Sequence, residues 1–147
     1  MGRRIALELS FQERIESVKA GSLAAIAFGG IYSVALVGNG YFGLTQGVQL
    51  GLLSLGLNLG SSLLSGFLFG VTYRYIIRQD DNSHLRDGAV LAFALVRSGG
   101  LIELQPDQTE MAGAIALLML ESLVGFAAAR SSLDWAMARH WLKPFGN

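Results

Sequence analysis

Ten of the eleven Lys and Arg residues fall in three clusters, and long apolar stretches without any basic residue separate those clusters. Arg3, Arg4, Arg14 and Lys19 precede the first stretch, and Arg74, Arg78 and Arg86 divide the second from the third. Arg130, Arg139 and Lys143 follow the fourth, whereas the connections Gly38–Gln49 and Gln105–Thr109 contain no basic residue. Loops on the cytoplasmic side of a membrane retain Lys and Arg. The alternation therefore predicts a chain that crosses a bilayer four times with both termini on the cytoplasmic side. The expected fold class is all-α: a four-transmembrane-helix bundle with an N-terminal interfacial amphipathic helix.

Composition agrees. Charged residues make up 15% and hydrophobic ones 52% of the chain, against roughly 25% charged in ordinary soluble domains. The mean hydropathy is +0.45, and 147 residues leave room for one domain, here a single integral membrane domain over 1–147. A net charge of zero gives no electrostatic case for nucleic acid as a partner. The absence of cysteine excludes disulfides, thiolate metal sites and cysteine nucleophiles. The first apolar stretch begins only near Ala20, after Glu8, Glu13 and Glu16. That is unlike the short basic region of a signal peptide, and the acids speak against an organellar transit peptide.

Residues 5–19 read as an amphipathic helix, with Leu7, Phe11, Ile15 and Val18 on one face and Glu8, Gln12, Glu16 and Lys19 on others. Such a helix would lie in the headgroup region; the alternative is a plain extension of the first span. Spans are expected over about 20–37, 47–73, 85–104 and 111–129, with an interfacial C-terminal extension at 130–143. Gly38-Asn39-Gly40 is expected to stop the first span. Asn82 or Ser83 is expected to cap the third, and Pro144 to end the C-terminal extension. The third is the least apolar, because Arg97 and Glu103 interrupt it. Small residues recur four apart: Gly21, Ala25, Gly29 and Ser33, then Gly56 and Gly60, then Ser62, Gly66 and Gly70. In lipid such faces let helix backbones approach closely, within the chain or against other membrane protein subunits. Trp135, Trp141, Tyr73 and Tyr75 map to the proposed cytoplasmic boundary, and Tyr41 and Phe42 to the opposite one, as an aromatic belt would.

The candidate site residues are Arg97, Glu121 and Asn58. A charge near the bilayer centre costs from about 3 to more than 10 kcal/mol, so it turns inward and finds a partner. Counted from the 105–109 connection, Arg97 and Glu121 differ in depth by roughly 6 Å, one turn, which an arginine spans. They are expected to pair across spans three and four. The pair reads either as a weld fixing the register of two helices or as a polar anchor or ion path. Asn58 is expected to hydrogen-bond across helices. No histidine lies inside a span, which disfavours a bilayer-embedded haem. Asp80, Asp81, His84 and Asp87 match no standard metal spacing and read as a solvated loop. No nucleophile elbow, phosphate-binding glycine loop or zinc-protease motif occurs.

The run Tyr73-Arg74-Tyr75-Ile76-Ile77-Arg78-Gln79-Asp80-Asp81-Asn82-Ser83-His84-Leu85-Arg86-Asp87-Gly88-Ala89-Val90, with Ala92-Phe93-Ala94-Leu95-Val96-Arg97 after it, is the most distinctive part of the chain. It resembles a family of small membrane proteins of cyanobacteria and chloroplasts. The resemblance implies a thylakoid location and a link to photosynthetic complexes, and it supplies no catalytic residues. The expectation is thus a non-enzymatic accessory subunit or assembly factor of a larger, photosynthetic membrane complex. The alternatives are a small carrier or channel, or a quinone-, pigment- or lipid-binding protein that uses the Arg97/Glu121 pair; no other cofactor is expected.

Overall fold

The structure, a computed structural model, describes residues 2–42, 52–77, 83–103 and 111–144. Four helices occupy them: α1 (Gly2–Phe42), α2 (Leu52–Ile76), α3 (Ser83–Glu103) and α4 (Met111–Ala138), with no strand among the described residues. Three of the four are long and apolar enough to cross a membrane, within Phe11–Phe42, Leu52–Ile76 and Ile115–Ala138. Helix α3, which carries Arg86, Asp87 and Arg97, is not among them. Only 17–28% of each apolar window is buried inside the protein. Ile26, Val34, Leu53, Leu57, Val96 and Leu120 all point outward. Water would not tolerate that much contiguous apolar surface, whereas lipid does.

One expected boundary, the stop at Gly38-Asn39-Gly40, is overturned. No break separates residues 5–19 from the first span, and Gly38-Asn39-Gly40 does not end it: α1 runs unbroken for 41 residues. At 1.5 Å per residue that is about 60 Å, twice the hydrocarbon thickness. A glycine costs a helix only about 1 kcal/mol, less than leaving backbone groups unpaired in lipid. The Asn39 side chain is moreover held in place by α4, as described below. The C-terminal extension continues α4 as expected but ends short of Pro144. Helix α4 continues to Ala138 and stops there, six residues before Pro144.

The stop is a Schellman turn. His140 adopts φ 59°, its N–H donates to Met137 O (3.0 Å), and the Trp141 N–H donates to Ala136 O (3.0 Å). Leu142 then folds back into the core, 3% exposed. The residue preceding Ser83 at the start of α3, the turn at 79–82, the connections at 43–51 and 104–110 with Pro106, and the side chains of residues 5–10 and of Glu103 lie outside the described residues.

The core is one aromatic layer to which each helix gives a phenylalanine. Phe28 (α1), Phe69 (α2), Phe93 (α3) and Phe126 (α4) meet with centroid separations of 4.3 Å for 28–126, 5.1 Å for 69–126, 5.3 Å for 69–93 and 5.6 Å for 93–126. Tilted and edge contacts of this kind suit the ring quadrupoles. Tyr73 stacks on Phe69 at 5.3 Å and is fully buried, so it belongs to this core and not to a boundary belt.

Helices α1 and α2 approach most closely through small residues. A Cβ on Gly70 would collide with Ala20 O and Ala24 Cβ, and one on Gly66 would lie 2.8 Å from Ala25 Cα. Gly21 and Gly29 receive the Phe67 ring and Leu63 respectively, at 2.6 and 2.7 Å from where a Cβ would stand. Among the described residues, Gly56 and Gly60 meet nothing within 4 Å.

Candidate functional site

One helical turn beyond the phenylalanine layer, counting four residues along each helix, the chain places Tyr32, Ser65, Arg97 and Ser122. Side chains four apart on a helix stack on the same face, so this second layer is polar where the first is aromatic. Arg97 projects into it from α3. Its Nη1 donates to Ser65 Oγ (3.0 Å) and to Ser61 O (3.3 Å) on α2. Its guanidinium carbon lies 5.0 Å from the centroids of both Phe28 and Tyr32 on α1. Among the described residues the buried Nη2 has no hydrogen-bond acceptor. The two ring faces supply the compensating negative potential, stronger here than at a wet surface.

Arg97 and Glu121 form no direct ion pair: each takes other partners. Glu121 Oε1 accepts from Asn39 Nδ2 at 2.5 Å, so the carboxylate is committed to α1. Arg97 turns toward α1 and α2, where two ring faces and a serine are available. Tyr32 stands within electrostatic reach of both charges. The two residues thus join α3 to α1 and α2, and α4 to α1, instead of welding α3 to α4. Asn58 is half-buried, and its side-chain amide has no partner among the described residues. The hydroxyls of Ser62 and Ser98, both buried, bond back to carbonyls of their own helices.

A second charged centre, unforeseen in the sequence, closes the opposite end of the bundle. Arg74, counted above among the cytoplasmic basic residues, is 1% exposed. Its Nη1 donates to Glu13 O (2.8 Å) and Ser17 Oγ (2.6 Å), its Nη2 to Glu13 Oε2 (2.5 Å), and its Nε to Lys143 O (2.8 Å). The Lys143 N–H in turn donates to Glu16 Oε2 at 3.2 Å. One guanidinium therefore ties α2 to α1 and to the C-terminal segment. Only arginine, with five N–H donors in a planar fork, meets so many acceptors at once.

Beside it, Tyr73 Oη donates to Asp134 Oδ1 (2.9 Å). Arg130 reaches Asp134 Oδ2 (3.6 Å) and pairs with Asp87 on α3. The chain Tyr73–Asp134–Arg130–Asp87 links α2, α4 and α3 at this end. Tyr73 and Arg74 are adjacent in a stretch that continues into a basic cluster, which disguises both as surface residues. The only sequence signal was that an apolar run leads directly into them.

Every charged group named above is held by protein partners, and the arrangement fixes helices relative to one another. Among the described residues no three His, Asp or Glu side chains gather as a metal site would need; Asp80 and Asp81 lie outside them. His84 and His140 are both exposed. No protein-family model, curated protein or solved structure matches this chain.

Proposed function

We infer that this protein is a non-enzymatic integral membrane subunit or assembly factor that docks against another membrane protein. The observation that carries this reading is the pair Gly56 and Gly60, one turn apart on α2 with open space around both among the described residues. Within the same helix Gly66 and Gly70 are consumed by α1. A glycine in a helix interior costs about 1 kcal/mol against alanine, and in lipid it is compensated by close backbone approach to a neighbour. The α2 face at Gly56 and Gly60 is the place for such a neighbour from another chain.

Helix α3 crosses as the fourth span in this reading, with Arg97 turned inward, and both termini lie with the Arg74 end in the cytoplasm. The 73–97 resemblance supplies the finer location, a thylakoid membrane with the Arg74 end facing cytosol or stroma, and a photosynthetic complex as partner. The polar residues favour a subunit over a carrier, because they form one layer bounded by phenylalanines on one side rather than a path between the two ends.

Affinity purification of the full chain from mild detergent tests the proposal. A membrane protein should co-purify with the native chain and be lost with Gly60→Leu, while helix content stays unchanged. A chain recovered only as a free monomer, or one whose partner tolerates Gly60→Leu and Gly56→Leu together, overturns it.

A further inference from the structure

Helices α1 and α4 leave a shallow groove between them, about 450 Å³ in volume, lined by Leu23, Ser131, Ser132 and Trp135. Its hydroxyls are already satisfied. Ser131 Oγ donates to Ala127 O and Ser132 Oγ to Ala128 O, both at 2.9 Å, so the groove offers an apolar surface and asks for no hydrogen bonds.

Charge is arranged at one end of it. Because α1 and α4 run in opposite directions, one turn toward the Arg74 end leads from Leu23 to Lys19 and from Trp135 to Arg139. The Arg139 guanidinium carbon lies 5.2 Å from the centroid of the Trp135 ring. Trp141 packs edge-on against the same indole at 5.2 Å. Lys19 gives one of its three donors to Glu16 at 2.7 Å and, with its side chain 54% exposed, keeps the others for solvent or ligand. Of the nearby acids, Glu16 is thus taken by Lys19 and the Lys143 N–H, and Asp134 by Tyr73 and Arg130.

We propose that this groove seats one anionic phospholipid, its acyl chain along Leu23 and Trp135 and its phosphate between Lys19 and Arg139. Three features select that occupant. The groove lies on two helices long and apolar enough to span a bilayer. Trp135 lines it with Trp141 packed on its indole, and tryptophan favours the headgroup boundary. Two cations stand one turn beyond its apolar floor, where a headgroup would lie. The inference rests on membrane insertion and not on the existence of a protein partner.

The test uses the full chain in detergent micelles with Trp141→Phe, which leaves Trp135 as the single tryptophan of the two in the sequence. Its fluorescence is titrated with phosphatidylglycerol or phosphatidylcholine, both carrying brominated acyl chains. The midpoint of quenching should fall at a roughly tenfold lower mole fraction for phosphatidylglycerol. Adding Lys19→Gln and Arg139→Gln, both at exposed positions, should bring the two midpoints together. Equal midpoints in the Trp141→Phe protein overturn the proposal, as does a preference that survives the double substitution. A protein that stays soluble without detergent and is quenched by neither lipid refutes membrane insertion itself.

Discussion

Asn39 on α1 donates its amide to the Glu121 carboxylate on α4 across 2.5 Å. By local chemistry this asparagine, flanked by Gly38 and Gly40, belongs to a turn. Its partner 82 positions away makes it a helix–helix tie instead. Side-chain hydrogen bonds between membrane helices average about 0.6 kcal/mol and reach about 1.7 kcal/mol. A double-mutant cycle of Asn39→Ala and Glu121→Ala, followed by unfolding in mixed SDS micelles, should return a coupling energy in that range. Losses that add to within about 0.3 kcal/mol would show that the two residues do not interact.

Arg97 poses a sharper question, because its guanidinium is held by two ring faces as much as by hydrogen bonds. Lysine would keep the charge but lose the planar stacking and the fork of donors. Methionine would discard the charge and with it the cost of burying one, which often offsets the lost contacts. Arg97→Met should therefore unfold within about 1 kcal/mol of the native chain, and Arg97→Lys should be the less stable of the two. The opposite order in SDS unfolding would mean that the charge, and not the shape of the group, matters at this position.

How far the fold was legible follows from which forces act locally. Apolar length and the clustering of Arg and Lys identify α1, α2 and α4 as apolar helices, since both are properties of contiguous sequence. The small-residue spacing correctly pointed to Gly66 and Gly70, because a four-residue repeat is a helix face whatever lies opposite. Three features required the third dimension. The burial of Arg74 depends on Glu13, Ser17 and Lys143, which are 57 or more positions away. The inward position of Tyr73 depends on Asp134. Depth alone marks Arg97 and Glu121 as unusual, but depth carries no information on direction. Which helix each one faces was decided by Tyr32, Ser65 and Asn39, none of which looked exceptional in isolation.

Close approach of α1 and α2 makes the glycines of α2 unequal. A methyl group on Gly70 would meet Ala20 backbone and Ala24 Cβ, neither of which is the flexible end of a side chain. Overpacking of that kind costs about 1–3 kcal/mol. Gly60→Ala meets nothing and should gain up to about 1 kcal/mol from helix propensity. Comparing the two alanine variants by SDS unfolding checks this, and equal stabilities would show that α1 and α2 do not touch at Gly70.

Arg74 latches the C-terminal segment through the Lys143 carbonyl and α1 through Glu13. Arg74→Gln would leave the Glu13 carboxylate and two carbonyls short of donors. Because Glu13 is 26% exposed and can recover some hydration, the loss should be about 2–3 kcal/mol rather than the larger cost of a fully buried charge. Release of the tail should also speed tryptic cleavage after Arg139 in detergent. Unchanged cleavage in Arg74→Gln would place the anchor of the tail elsewhere, for instance on the buried Leu142.

His140 occupies the left-handed position of the Schellman turn that ends α4, with φ 59°. Residues with a Cβ resist that conformation by roughly 1–2 kcal/mol, and glycine does not. The imidazole is exposed, so little packing would be lost with it. Against the gain stands the greater freedom of glycine in the unfolded chain, about 0.4–1 kcal/mol. His140→Gly should therefore stabilise the protein by about 0.5–1 kcal/mol, and His140→Val, β-branched and poorly suited to positive φ, should destabilise it. Both are read by SDS unfolding, with hydrogen exchange at the Trp141 amide reporting the turn itself, since that N–H closes the motif on Ala136 O. If glycine weakens the protein, the histidine must make a contact that offsets its backbone strain, and the turn is more than a helix stop.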